Sequence, residues 1–298
     1  MPSDRGRFLT SLRRFNHSYL EQPLWLRLLI SAVIFIAIVV ATQSVQVFPG
    51  ALMALFNDPN RDPSTLPEGV EGTFLTTADG ERLELWKLPA QGRKEIAIIF
   101  HGNAGDLANF YVYQLFFNRL GISSYAFDYR GFGKSSGWPS EVGIYEDSRT
   151  VIEHVLANEP VTKNDLILVG VSIGTGPAAY AAEKYDPKAL ILFSPFESFA
   201  EAVKVVPFFG YLYPFTFYDF PVKEHVGRLG NSCLIVAHGV KDEIIPFNQG
   251  RAVFENYRGS SHAEFIDSSG AMHNNLLFNT GSRVAASVEQ CLGANRTK

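Results

Sequence analysis

The sequence predicts an α/β fold, a mostly parallel central sheet with helices on both faces. Three observations predict it. From about residue 73 onward, short apolar runs alternate with stretches of helical spacing. The 298 residues are 46% hydrophobic and 19% charged, enough to bury a full core. A glycine-rich turn, Gly170-Val171-Ser172-Ile173-Gly174, joins one apolar run directly to a helical one. In a sheet of this kind, sites lie at the carboxyl ends of the strands, so functional residues should fall just after them.

The elements follow in order. "TFLTT", "ADG" and "ERLELWKLP" read as a hairpin. "EIAIIF" (95–100) is a buried strand, 107–120 has helical spacing, and "SSYAFDY" (123–129) is the next strand. Residues 140–156 form an amphipathic helix, with Ser140 as N-cap and Pro139 before it. "DLILVGV" (165–171) is a strand that opens into a small-residue helix over 173–184. "ALILFSPF", "CLIVAHG" and "AEFIDSS" supply three more strands, and helical segments follow the last two.

Composition removes several functions. The net charge of −4 offers no basic footprint for nucleic acid. The two cysteines, Cys233 and Cys291, form no CxxC or Cys/His cluster, so no structural zinc site is expected, and the chemistry below needs no metal or cofactor. Spacing alone leaves open whether the two cysteines pair. Oligomeric state is not encoded in any repeat or heptad.

The N-terminus differs from the rest. Leu24 to Phe48 is apolar apart from Arg27 and a few small polar residues, and 25 residues exceed the roughly 20 that cross a hydrocarbon core. Arg27 lies one turn inside the start, where its stem can snorkel to the headgroups. Arg5, Arg7, Arg13 and Arg14 precede the run, and no Lys or Arg follows it until Arg61. The positive-inside rule then leaves residues 1–23 in the cytoplasm and exports the C-terminal part, with the bilayer as partner. The organisation expected is a cytoplasmic basic segment (1–23), a transmembrane signal-anchor (24–48), a linker (49–72) and one domain (73–298). A cleaved signal peptide is the alternative, with Val39-Val40-Ala41 as a weak cleavage site.

The glycine turn is also a GxSxG pattern centred on Ser172. Strand before and helix after are the context in which such a serine stands exposed as a nucleophile. The plain alternative is a structural turn with an incidental serine. A serine hydroxyl needs a base, and the base needs an orienting acid, in the chain order Ser, acid, His. His273 follows the "AEFID" strand, on the correct edge, whereas His262 precedes it and reads as a loop residue. "CLIVAHGVKDEIIP" offers Asp242, early in its loop, and Glu243, which reads as a surface or helix-start charge. "FHGNAGD" (100–106) follows the first buried strand. Its Asn103 N–H, together with that of Ile173, is placed to hold an oxyanion. His101 beside it reads as a structural histidine.

HGNAG, DYRGFGKSSG, GVSIGTGPA, HGVKDEIIP and SGAMHNN, in this order, resemble the α/β-hydrolase superfamily, most of all its single-pass, membrane-anchored serine hydrolases. The likeness runs from about Thr73 to the C-terminus. It implies the α/β-hydrolase fold, Ser172 as nucleophile, Asp242 as acid, His273 as base, and Asn103 and Ile173 as oxyanion donors. The depalmitoylating members carry an N-terminal cysteine cluster that this chain lacks, which favours the transmembrane-anchored relatives. The Gly-Lys-Ser within DYRGFGKSSG is not a phosphate loop, because Asp128 stands where that loop needs glycine.

Residues 197–232 are too long for a plain connection and carry Phe208, Phe209, Tyr211 and Tyr213 among nine aromatics. They read either as a core-packing helix or as a lid offering an apolar pocket to an acyl chain. The expected activity is hydrolysis of esters or thioesters of lipid-like or acylated small molecules. The alternatives are a serine peptidase using the same residues and a catalytically silent hydrolase fold acting as a membrane-tethered binding protein.

Overall fold

The computed structural model describes residues 19, 20, 22–41, 47, 48, 66–103, 105–204 and 217–293. The chain divides into two units, 1–46 and 47–298.

In the first unit, helix α1 (Leu24–Ala41) exposes Leu24, Trp25, Leu28, Leu29, Val33, Ile34, Phe35 and Ile38 around its whole circumference. Tyr19 braces its start, with the hydroxyl 3.0 Å from the Arg27 carbonyl and 2.6 Å from Ser31 Oγ. Eighteen residues make a helix about 27 Å long, against a hydrocarbon core of about 30 Å. Among the described residues, no helix is long and apolar enough to cross a membrane. The span expected over Leu24–Phe48 is corrected at its far end. Val47 and Phe48 belong to the second unit and are buried in its core, Phe48 to 1% exposure. Their hydrophobicity serves protein packing, which a hydropathy run cannot distinguish from burial in lipid.

The second unit is one eight-stranded sheet in the order β1-β2-β4-β3-β5-β6-β7-β8. β1 (Glu71–Thr76) and β2 (Arg82–Leu88) form the predicted hairpin, and β2 also pairs antiparallel with β4 (Ser123–Phe127). β3 (Ile96–Phe100), β5 (Leu166–Val171), β6 (Ala189–Phe193), β7 (Cys233–Gly239) and β8 (Ala263–Ser268) continue in parallel. Every residue of β3, β5, β6 and β7 is buried, as strands covered by helices on both faces must be. The crossovers are carried by α2 (Leu107–Arg119), α3 (Glu141–Asn158), α4 (Thr175–Tyr185), α5 (Phe199–Lys204), α6 (Val222–Gly227) and α7 (Phe247–Glu255), and α8 (Leu276–Gly293) follows the last strand. The predicted cap holds: Ser140 Oγ accepts from the Gly143 N–H at 3.1 Å.

The strand order reverses between β3 and its two neighbours, so the loops after β3 and β5 leave the same edge side by side. At the opposite flank, Cys233 of β7 and Cys291 of α8 form a disulfide closing 58 residues of chain. On the chain-entropy account such a link contributes about 4 kcal/mol.

Of the expected lid, Phe208, Phe209, Tyr211 and Tyr213 lie outside the described residues. Its far end is described, and there Tyr218 and Phe220 are core residues. Glu141 pins this end, accepting from the Asp219 and Phe220 N–H groups at 2.7 and 2.9 Å.

Candidate active site

Ser172 sits where β5 ends and a single 3-10 turn leads into α4, with φ at +54°. A non-glycine residue in that region is strained, and such strain persists only where packing over-determines it. The packing is visible in the flanking glycines. A Cβ on Gly174 would stand 2.2 Å from the Phe100 carbonyl oxygen, and one on Gly170 would stand 2.7 Å from Thr175 Cα. Thr175 Oγ1 donates to the Ser172 carbonyl at 2.6 Å and ties the turn to the helix. Gly176, the next glycine of the motif, seats Phe220, whose Cδ1 would be 2.6 Å from any added Cβ.

Asp242 and His273 are brought together. His273 Nδ1 lies 3.0 and 2.9 Å from the two Asp242 carboxylate oxygens. Asp242 Oδ1 also accepts from the Ile244 and Ile245 N–H groups at 3.0 and 2.8 Å. Burial alone would raise the Asp242 pKa. The hydrogen bond and charge of His273, the Ile245 N–H and Ser194 overcome that and hold it at about 2. A carboxylate ionised in this way only accepts, so His273 donates to it from Nδ1.

Two residues beyond the sequence reading support this pair. Ser194, directly after β6, donates from Oγ to Asp242 Oδ2 at 2.7 Å and is itself at φ +49°. Its signal in the sequence was only its place after a strand. Glu243, read as a surface charge, accepts from the His273 backbone N–H at 3.1 Å and so fixes the loop that carries the histidine. His238 is fully buried 3.5 Å from Asp242 Oδ2, and burial lowers its pKa, leaving it neutral beside the acid. His262 lies at the amino end of β8 against Ser287 Oγ (3.2 Å), away from the acid.

The loop after β3 runs alongside. Gly102 lies against Ser172, since a Cβ built on it would be 3.5 Å from that of Ser172. Among the described residues the Asn103 backbone N–H makes no backbone–backbone hydrogen bond. Its side-chain amide donates to the Val47 carbonyl. His101 is fully buried, 4.3 Å from the Tyr129 ring, and its Nδ1 donates to the Gly102 carbonyl at 2.7 Å. Burial pushes the His101 pKa down to about 4 and raises that of Asp128, 3.4 Å away, well above its ordinary value. The structural reading of His101 stands. The Gly-Lys-Ser stretch holds no phosphate cradle. Asp128 Oδ2 fills the space beside Gly133, and Lys134 faces Glu84 at 3.7 Å.

A family model described as serine aminopeptidase, S33, matches residues 91–226. The α/β hydrolase domain-containing protein 17C of Mus musculus is 30% identical over 211 residues, covering 70% of this chain and 64% of its own length. YNL320W of Saccharomyces cerevisiae, described as an uncharacterized membrane protein, is 31% identical over 220 residues, covering 71% of this chain and 76% of its own. The Pyrococcus furiosus esterase PF2001 superposes with a TM-score of 0.62 at 19% identity, over 79% of this chain and 94% of that one, a likeness of fold. The chain belongs to the α/β-hydrolase superfamily and is of serine-hydrolase type.

The Asp242 pKa carries a prediction. It falls from 3.8 in a free side chain to about 2 in the folded protein, so ionised Asp242 stabilises the fold. That contribution, about 2 kcal/mol, is complete above about pH 5 and is lost as pH drops from about 4 through 2. Urea unfolding at pH 6, 4 and 2.5 should show this loss in wild type and its absence in Asp242→Asn. The same acid slope in both proteins would place the stabilising carboxylate elsewhere.

Proposed function

We propose that this protein is a membrane-attached serine esterase or thioesterase acting on acylated, lipid-like substrates through an acyl-enzyme. One observation carries the reading: a strained serine on a strand-to-helix turn shares the carboxyl edge of the sheet with a histidine hydrogen-bonded to an ionised, buried aspartate. Ser172 Oγ attacks the acyl carbonyl while His273 Nε2 takes its proton. The same proton passes to the leaving alkoxide or thiolate, and Asp242 stabilises the imidazolium in between. The Asn103 and Ile173 N–H groups receive the tetrahedral oxyanion. Water, activated by His273, then releases the acid.

Attachment to the bilayer is part of the same reading. The exposed apolar side chains of α1 suit a lipid surface, and on this reading the arginines before it keep the N-terminus cytoplasmic. A disulfide is at home on the exported, oxidising side, the side on which this reading puts the catalytic domain. The yeast relative's description as a membrane protein points the same way. A second reading, peptidase activity, is favoured by the serine aminopeptidase description of the matching family.

Steady-state kinetics on p-nitrophenyl esters from acetyl to palmitoyl, set against aminoacyl anilides, test the reaction. The expected result is kcat/KM rising with chain length, with Ser172→Ala and His273→Ala lowering kcat by about 10⁴-fold or more. A flat chain-length profile removes the acyl-chain reading, faster anilide cleavage selects the peptidase, and no turnover of either by the folded protein selects the binding protein. For attachment, the full chain should resist alkaline carbonate extraction, and protease should reach the hydrolase domain only from the exported side. Release by carbonate contradicts the anchor.

A further inference from the structure

The last two residues of the expected membrane span, Val47 and Phe48, lie at the candidate oxyanion loop instead. Val47 offers its carbonyl to the Asn103 side-chain amide, and both Val47 and Phe48 are buried in the cluster that also holds Ile173 and Phe196. The Phe48 ring stands edge-on to Phe132 (6.1 Å), Tyr218 (5.2 Å) and Phe220 (6.4 Å). From these neighbours, contacts run to both sides of the site. Phe132 packs on His101 at 5.3 Å, and His101 leads through Gly102 into Asn103. Phe220 sits on Gly176, in the first turn of the helix behind Ser172. Asn103 is therefore held twice, by its own side chain and through the ring stack beneath its loop.

We propose that Val47 and Phe48 are positioning residues of the hydrolase site, holding the Asn103 loop so that its backbone N–H is set to receive the oxyanion. The chain just beyond the apolar helix is then a working part of the catalytic unit, and turnover depends on a segment outside both the sheet and the region matched by the family model. The physical reason is one of tolerance. An oxyanion donor acts only within a few tenths of an ångström of its place, and a misplacement of about 1 Å costs up to about a hundredfold in rate. A glycine-containing loop cannot supply that precision by itself. This inference rests on the serine-hydrolase reading, with Asn103 as an oxyanion donor.

The test uses the full chain with Phe48→Ala, Phe48→Leu and Asn103→Ala, since the Val47 contact is through its backbone. Two quantities are measured: kcat and KM on p-nitrophenyl butyrate, and hydrogen exchange over residues 101–106. The expected result is a kcat lowered about 10- to 100-fold in Phe48→Ala and Asn103→Ala with KM changed less than about threefold, a substantial recovery of kcat in Phe48→Leu, and faster exchange over 101–106 in Phe48→Ala. Wild-type kcat in both alanine variants, or a loss confined to KM, overturns the inference. Should Phe48→Ala fail to fold, Asn103→Ala and Phe48→Leu decide, because neither empties the core. A wild type without turnover overturns the hydrolase reading instead. Exchange alone then judges the hold on the loop, and unchanged exchange in Phe48→Ala overturns that too.

Discussion

Everything at the site depends on how closely two strand ends approach. β3 and β5 are parallel neighbours, and where they end the Gly174 Cα presses on the carbonyls of Phe100 and His101, leaving no room for a Cβ. That contact sets the Ser172 turn against the loop that carries Asn103. It also explains the glycine at 174, while the glycine at 170 leaves room for the backbone of Gly174 and Thr175 in the turn itself. The strained φ of Ser172 is the geometric consequence, held in place by the Thr175 hydroxyl and the helix that follows.

The acid–base pair is built by a different device. Asp242 is buried, which opposes its charge, and is kept ionised by donors converging from three elements: His273 after β8, Ser194 after β6, and the Ile244 and Ile245 amides of its own loop. Glu243 adds a hold on the histidine backbone. An acid satisfied from so many directions cannot rotate freely, so the imidazole it holds has one tautomer and one orientation.

Much of this was legible in the sequence. The strands were, because β-branched runs such as "LILVGV" end abruptly in glycine or a polar residue. The placement of Ser172, Asp242 and His273 was, because each follows a strand and a parallel sheet gathers those ends at one edge. What stayed hidden needed three-dimensional pairing. Ser194 is a lone serine after a strand, indistinguishable from a turn residue until Asp242 is seen beside it. The Cys233–Cys291 bond joins residues with no informative spacing. Val47 and Phe48 were absorbed into an apolar run because hydrophobicity reads the same whether lipid or protein covers the side chain. Only the Asn103 contact and the aromatic stack separate the two.

The central claim is that Ser172 is an activated nucleophile. The most direct measurement is reaction of the full-length protein with a fluorophosphonate, followed by peptide mass spectrometry, in wild type and in His273→Ala. The account predicts a single phosphonyl adduct on Ser172 in wild type and none in the histidine variant over the same time. A folded wild type that stays unmodified, or an adduct that forms equally well without His273, would contradict it.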